Sequence, residues 1–157
     1  MLPGKRLDEL RVGDLGRLVD RMPPTLQKSA TLGQALEAID SDPFSRKAYV
    51  IDVEGNLVGV VTPGSIIKLM LDRARSREDK AKPLADLAED VLEEGVEKAM
   101  RMPFPIKTST SLAEALSILQ ENHLTGAPVV DEDYKLVGEL VALELLKTLT
   151  PASSTKA

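Results

Sequence analysis

The sequence predicts a mixed α/β (α+β) fold of two tandem βαββα-type repeats packed as a pseudo-two-fold pair. Three observations predict it. SATLGQALEAI (Ser29 to Ile39) matches STSLAEALSIL (Ser109 to Leu119) with an offset of 80 residues. AYVIDVEGNLVGVV (Ala48 to Val61) matches APVVDEDYKLVGEL (Ala127 to Leu140) with an offset of 79, an extra loop residue after Ile39 accounting for the change. Met22-Pro23 matches Met102-Pro103 upstream of both. Self-similarity in a fixed order marks a chain made by repeating one supersecondary unit.

Each repeat is read element by element. Leu26 and Ile106 belong to short strands that approach the first helix. Leu32, Ala35, Leu36 and Ile39, like Leu112, Ala115, Leu116 and Leu119, recur at i, i+3, i+4 and i+7, so one apolar face of a helix is expected. Thr31 with Gln34 and Ser111 with Glu114 have the spacing of a capping box, which starts these helices near residues 32 and 112. Two short strands follow, joined through Asp52 to Asn56 and Asp131 to Lys135, with Gly55 and Asn56 suited to positive φ. GVVTPGSIIKLML and GELVALELLKTL then open a third amphipathic segment in each copy. Neither sheet is long enough to stand alone, so the repeats are expected to bury them against each other.

The repeats span 12–72 and 92–150, with a charged linker and an additional helix over 73–91. That helix is predicted to begin with Pro83 in its first turn and to present Leu84, Leu87, Ala88, Val91, Leu92 and Val96 on one face, with Gly95 as its weak point. Residues 151–157 are expected to fray.

Composition narrows the function. With two Phe, two Tyr and no Trp, the core must be aliphatic. A net charge of −5 argues against a nucleic-acid surface, because the basic groups at Lys5 and Arg6, Arg73 to Arg77 and Lys80 to Lys82 are not interleaved with aromatics. Cysteine is absent, which removes disulfide and thiolate chemistry. The start MLPGKRLDEL has no apolar leader and no run reaches the length of a membrane span, so a cytoplasmic protein without a membrane segment is expected. His123 is the sole histidine and reads as a helix-end residue rather than a metal ligand or base. No nucleophile–base pair, Walker loop or GxGxxG is present, and the chain reads as a non-enzyme.

One junction carries binding chemistry. Thr62-Pro63 is a strong helix start, where a cap hydroxyl, free N–H groups and the helix dipole suit either a plain N-cap or a phosphate contact. The second copy has Val141 there, and Glu144 in the first turn either serves the dipole or accepts from a ribose diol.

These stretches together resemble a tandem pair of CBS domains, from about residue 12 to about 150. The resemblance implies two repeats packed through their sheets, dimerisation of such pairs, and regulation of a linked enzyme, channel or transporter by AMP, ADP, ATP or S-adenosylmethionine. It also implies a ligand pattern of Gly, two apolar residues, Thr or Ser, two variable residues and Asp, with the hydroxyl on phosphate and the Asp on ribose. The first copy has Gly59 and Thr62, with Ser65 in the Asp position; the second has Gly138, Val141 and Glu144. The adenine would lie against Thr25, Leu26 and Lys47, Ala48, Tyr49 in the first copy. In the second it would lie against Ile106 and Gly126, Ala127, Pro128.

Two functions follow: a module that senses an adenine nucleotide or related adenosyl ligand weakly, with no required cofactor, or a ligand-free protein–protein interaction or dimerisation module. A homodimer is expected on either, through apolar residues such as Leu112, Leu116, Leu119 and the Leu143 to Leu146 ridge, unless the Leu84 to Val96 helix covers them. A regulated partner protein is implied by the first.

Overall fold

The computed structural model describes residues 2–76 and 81–150. Part of the basic linker, 77–80, and the tail expected to fray, 151–157, lie outside the described residues. After short 3-10 turns in the first 18 residues, the chain runs β1 (Thr25–Gln27), α1 (Leu32–Ser41), β2 (Ala48–Ile51), β3 (Leu57–Val61), α2 (Pro63–Ala74) and α3 (Leu84–Glu93). It continues through β4 (Ile106–Lys107), α4 (Leu112–Glu121), β5 (Gly126–Val130), β6 (Leu136–Val141) and α5 (Ala142–Leu149). Both copies are therefore βαββα, and the mixed fold is as expected. Each makes a three-stranded sheet, β1-β2-β3 and β4-β5-β6. The first pairing in each sheet is parallel because a helix carries the chain across. The second is antiparallel because a tight turn joins the strands.

The compact units do not follow the sequence repeats. One unit is formed by the residues up to Met22 together with those from Phe104 onward, and the other by Pro23–Pro103. In the first, Val12, Leu15 and Val19 join Ile106, Leu112, Leu119, Val129 and Leu140 in one apolar core. In the second, Leu87, Val91, Val96 and Ala99 join Leu32, Ala35, Val50 and Val61. The segment that leads into and opens one repeat in sequence thus completes the core of the other.

Matching backbone bonds hold both segments in place. Val12 N–H donates to Thr110 O at 2.8 Å, and Val96 N–H to Ala30 O at 2.9 Å. Leu112 N–H donates to Leu10 O, and Leu32 N–H to Glu94 O. At the far sheet edge Glu139 N–H donates to Val19 O at 3.1 Å, while Val60 and Arg101 exchange a reciprocal pair at 3.0 and 2.9 Å. An Arg73–Glu94 ion pair adds to the second set.

These crossings explain the glycine shared by the two repeats. A Cβ on Gly138 would lie 2.7 Å from the Val19 carbonyl carbon and closer still to its oxygen. A Cβ on Gly59 would overlap the Met100 side chain instead. Backbone packing therefore requires a residue without a side chain at Gly138, while at Gly59 it is the Met100 side chain that takes the space.

Several local expectations need correction. The Thr31 capping box is complete, with Gln34 N–H to Thr31 Oγ1 at 3.2 Å and Thr31 N–H to Gln34 Oε1 at 2.9 Å. Ser111 accepts from Glu114 N–H at 3.1 Å, but no return bond from Glu114 completes a box. In the first hairpin Gly55 takes positive φ (88°), whereas Asn56 stays out of that region and donates through Nδ2 to Asp52 Oδ2. In the second hairpin Tyr134 occupies the left-handed region (φ 65°), which costs a residue with a Cβ what glycine avoids. His123 also takes positive φ (54°), just past α4, in keeping with a helix-end residue.

Pro83 is the N-cap of α3 rather than a first-turn residue, and the helix ends before Gly95. Leu84 is 73% exposed and leaves the predicted apolar face, while Val96 reaches the core from a separate 3-10 turn. Leu112 and Leu119 are core residues and so unavailable to a partner; within α5, Leu145 is buried but Leu143 and Leu146 are 63% and 58% exposed. No helix among the described residues is long and apolar enough to cross a membrane.

Candidate functional site

The topology brings the expected ligand residues to one end of each sheet. In the unit 23–103, β1 and β2 run parallel with Thr25 beside Tyr49, and β3 returns antiparallel so that Val61 pairs with Ala48. The starts of β1 and β2 and the end of β3 therefore meet where Thr62 begins α2. Tyr49 N–H donates to Pro24 O at 2.9 Å and ties the approach to β1 onto this end. In the other unit Gly126 pairs with Val141, so the start of β5 meets the start of α5 in the same way.

Strand alternation decides which side chains are available there. Ala48 and Ala127 lie in the aliphatic cores beneath the helices, as does Ile106. Only their backbone groups can face a ligand at this end. Leu26 is partly buried against the core of the unit 23–103. Tyr49 points to the opposite side of its strand from Ala48 and Val50 and is buried. Gly126 and Pro128 take the corresponding places in the second copy and are also buried.

Thr62 and Ser65 form a full reciprocal cap. Ser65 N–H donates to Thr62 Oγ1, and Thr62 N–H donates to Ser65 Oγ, both at 3.0 Å. Ser65 Oγ also donates to Thr62 O at 3.0 Å. The Ser65 hydroxyl has thus spent its proton inside the turn, and the residue is buried, so it offers a ligand little. The Thr62 hydroxyl accepts in the cap and keeps its own proton to donate. Pro63 occupies the first turn at no hydrogen-bond cost.

The second copy is built differently. Val141 caps α5 without a side-chain bond. Glu144 stands in the first turn, partly exposed, with Lys147 Nζ 3.7 Å from its carboxylate. Sequence reasoning passed over Glu139, which occupies an apolar position of the ligand pattern. It is 1% exposed, pairs across the sheet with Pro128, and lies 3.6 Å from Arg21. A Cβ on Gly126 would sit 3.7 Å from its Oε2. The signal was present as a lone acid in the apolar strand LVGELV, and the early Arg21 became its neighbour only through the fold. At the opposite end of this sheet, a hydrogen bond from Ser109 and the nearby Lys107 hold the Glu132 carboxyl below its usual range.

Comparison with known proteins agrees with the fold of the two repeats. The family model described as "CBS domain" matches residues 12–72 and 89–150. A curated chloroplastic CBS domain-containing protein of Arabidopsis thaliana, CBSX1, is 51% identical over 41 residues, which is 26% of this chain and 17% of that protein. Among solved structures, a CBS domain-containing protein of Thermotoga maritima is similar at a TM-score of 0.68 and 25% identity, over 89% of this chain and 94% of that one. A CBS domain protein of Pyrobaculum aerophilum complexed with AMP is similar at 0.67 and 16% identity, over 92% and 95%. The cytosolic domain of the Mg2+ channel MgtE in complex with ATP is similar at 0.58 and 21% identity, over 80% of this chain and 44% of that one.

Proposed function

We propose, since this chain belongs to the CBS domain family through both of its repeats, that it is a regulatory module binding an adenine nucleotide or related adenosyl ligand weakly. The observation that carries the reading is the Thr62 hydroxyl, which caps α2 yet keeps a proton to donate, at the sheet end where β1 and β2 begin. A phosphate there would meet that O–H and the positive end of the α2 dipole. Two solved relatives are complexes with AMP and with ATP, which supports the ligand class. Affinity is low because Ser65 leaves ribose without a carboxylate, whereas the second copy has Glu144 but no cap hydroxyl. A missing contact of ~1–3 kcal/mol weakens binding about tenfold or more. The module acts in the cytoplasm on a partner protein and has no catalytic role of its own.

Calorimetric titration with AMP, ADP, ATP and S-adenosylmethionine tests this. Thr62→Val is expected to weaken phosphate-bearing ligands about tenfold, while Thr62→Ser, which keeps the hydroxyl, retains them. Glu144→Gln is expected to weaken a ligand held through ribose in the second copy. No heat from any of the four at millimolar concentration would favour the alternative, an interaction module without a ligand.

The exposed apolar helix residues support a homodimer on either reading. Leu143 and Leu146 on α5, and Ile67 and Leu71 on α2, stand exposed on equivalent helices of the two repeats. A second copy supplies the same helix faces in return, as a two-fold interface requires. Leu146→Glu with Ile67→Glu is expected to shift sedimentation at micromolar concentration from dimer to monomer. A wild-type chain that is monomeric throughout would end this part of the proposal.

A further inference from the structure

We propose that the pocket between α2 and the segment 98–101 is an anion site that takes a polyphosphate chain. The pocket is a half-open cleft of about 230 Å³. Ser65, Lys68 and Asp72 line it from α2, and Lys98, Met100 and Arg101 from the segment. Lys68 is held by Asp72 at 3.0 Å. Lys98 and Arg101 have no hydrogen bond or ion pair from their side chains among the described residues. Three cations thus face one carboxylate, on a chain whose net charge is −5. A local positive excess against an acidic background attracts a small, highly charged anion more than a neutral ligand.

The backbone that carries these cations is fixed. Arg101 exchanges both backbone bonds with Val60, Lys98 N–H donates to Gly95 O at 3.1 Å, and Ala99 between them is buried. Met100 fills the space left above Gly59. A guanidinium on such a support can grip a phosphate through two N–H groups, and the two ammonium groups add point charges for the neighbouring phosphates. The volume is below the range of pockets that enclose a drug-sized molecule, which suits a phosphate chain better than a whole nucleoside. Apart from Ser65, none of the residues expected to bind adenine nucleotide lines this pocket. The site therefore goes beyond that reading and does not rest on it.

Titration of the full chain with inorganic tripolyphosphate at low ionic strength tests the site. Lys98→Glu with Arg101→Glu is expected to weaken binding about tenfold or more. Arg17→Glu with Arg46→Glu, neither of which lines the pocket, makes the same change in net charge and is expected to leave affinity within about twofold. Amide resonances of 98–101 and the first turns of α2 should shift on addition. Equal weakening by both pairs, or no binding of millimolar tripolyphosphate to the wild-type chain, would overturn the proposal. AMP titrated against Thr62→Val and against the Lys98/Arg101 pair separates the two readings, because the adenine-nucleotide site depends on the first substitution alone.

Discussion

Gly138→Ala is expected to cost about 3 kcal/mol or more and to leave little folded protein at 37 °C. The added Cβ would enter the Val19 carbonyl, which accepts the Glu139 N–H at 3.1 Å. The carbonyl is backbone and the position of a Cβ is set by its own backbone, so no rotamer change relieves the overlap. Relief requires the segment at Val19 to leave the edge of β6, which breaks that bond, disturbs the Arg21–Glu139 pair and draws Val19 from the core. Gly59→Ala places the same atom against Met100, whose flexible side chain can swing aside. Its cost is expected to be ~1–2 kcal/mol. Urea denaturation of both variants decides the matter, and equal midpoints would show that the crossing at Val19 yields as easily as a methionine.

A fragment of residues 23–103 is expected to fold cooperatively, while a fragment of 12–72 is not. The first retains every side chain of its aliphatic core, including Leu87, Val91, Val96 and Ala99. The second loses those four and the backbone partners of Ala30, Leu32 and Val60. It keeps Val12, Leu15 and Val19, whose core lies in the other unit. Burying one large aliphatic side chain contributes roughly 1.5–3 kcal/mol, so losing Leu87, Val91 and Val96 removes as much as the whole stability of many domains. Circular dichroism with thermal melting of both fragments reads the result. A sharp transition in 12–72 would show that the sequence repeat, rather than the contact-defined unit, is the folding unit.

The helix starts at Thr31 and Ser111, the hairpins and the βαββα order were legible because they depend on neighbours in sequence. A cap, a turn and an amphipathic stripe are local, and repetition of each about 80 residues later made them hard to mistake. The candidate ligand positions were legible as places but not as chemistry. Ala48, Ile106 and Ala127 fall on the expected strands, yet their side chains belong to the core. Ser65 sits at the expected turn, yet its hydroxyl is engaged by Thr62. Which face of a strand is covered, and where a hydroxyl sends its proton, depend on atoms that other segments bring.

By itself, then, the sequence determined the repeated unit, its element order and the place where each helix begins. Tertiary structure alone decided which segment completes which core. Val12 opens repeat one in the chain but packs with Leu112 and Leu140, and Val96 lies near the start of repeat two but packs with Leu32 and Val61. Apolar periodicity states that a face must be covered without naming the residue that covers it. The partner is selected by backbone bonds across the sheet edge; at Val19 the bond forms only because Gly138 leaves room for the crossing backbone, and at Arg101 Gly59 leaves room for the Met100 side chain.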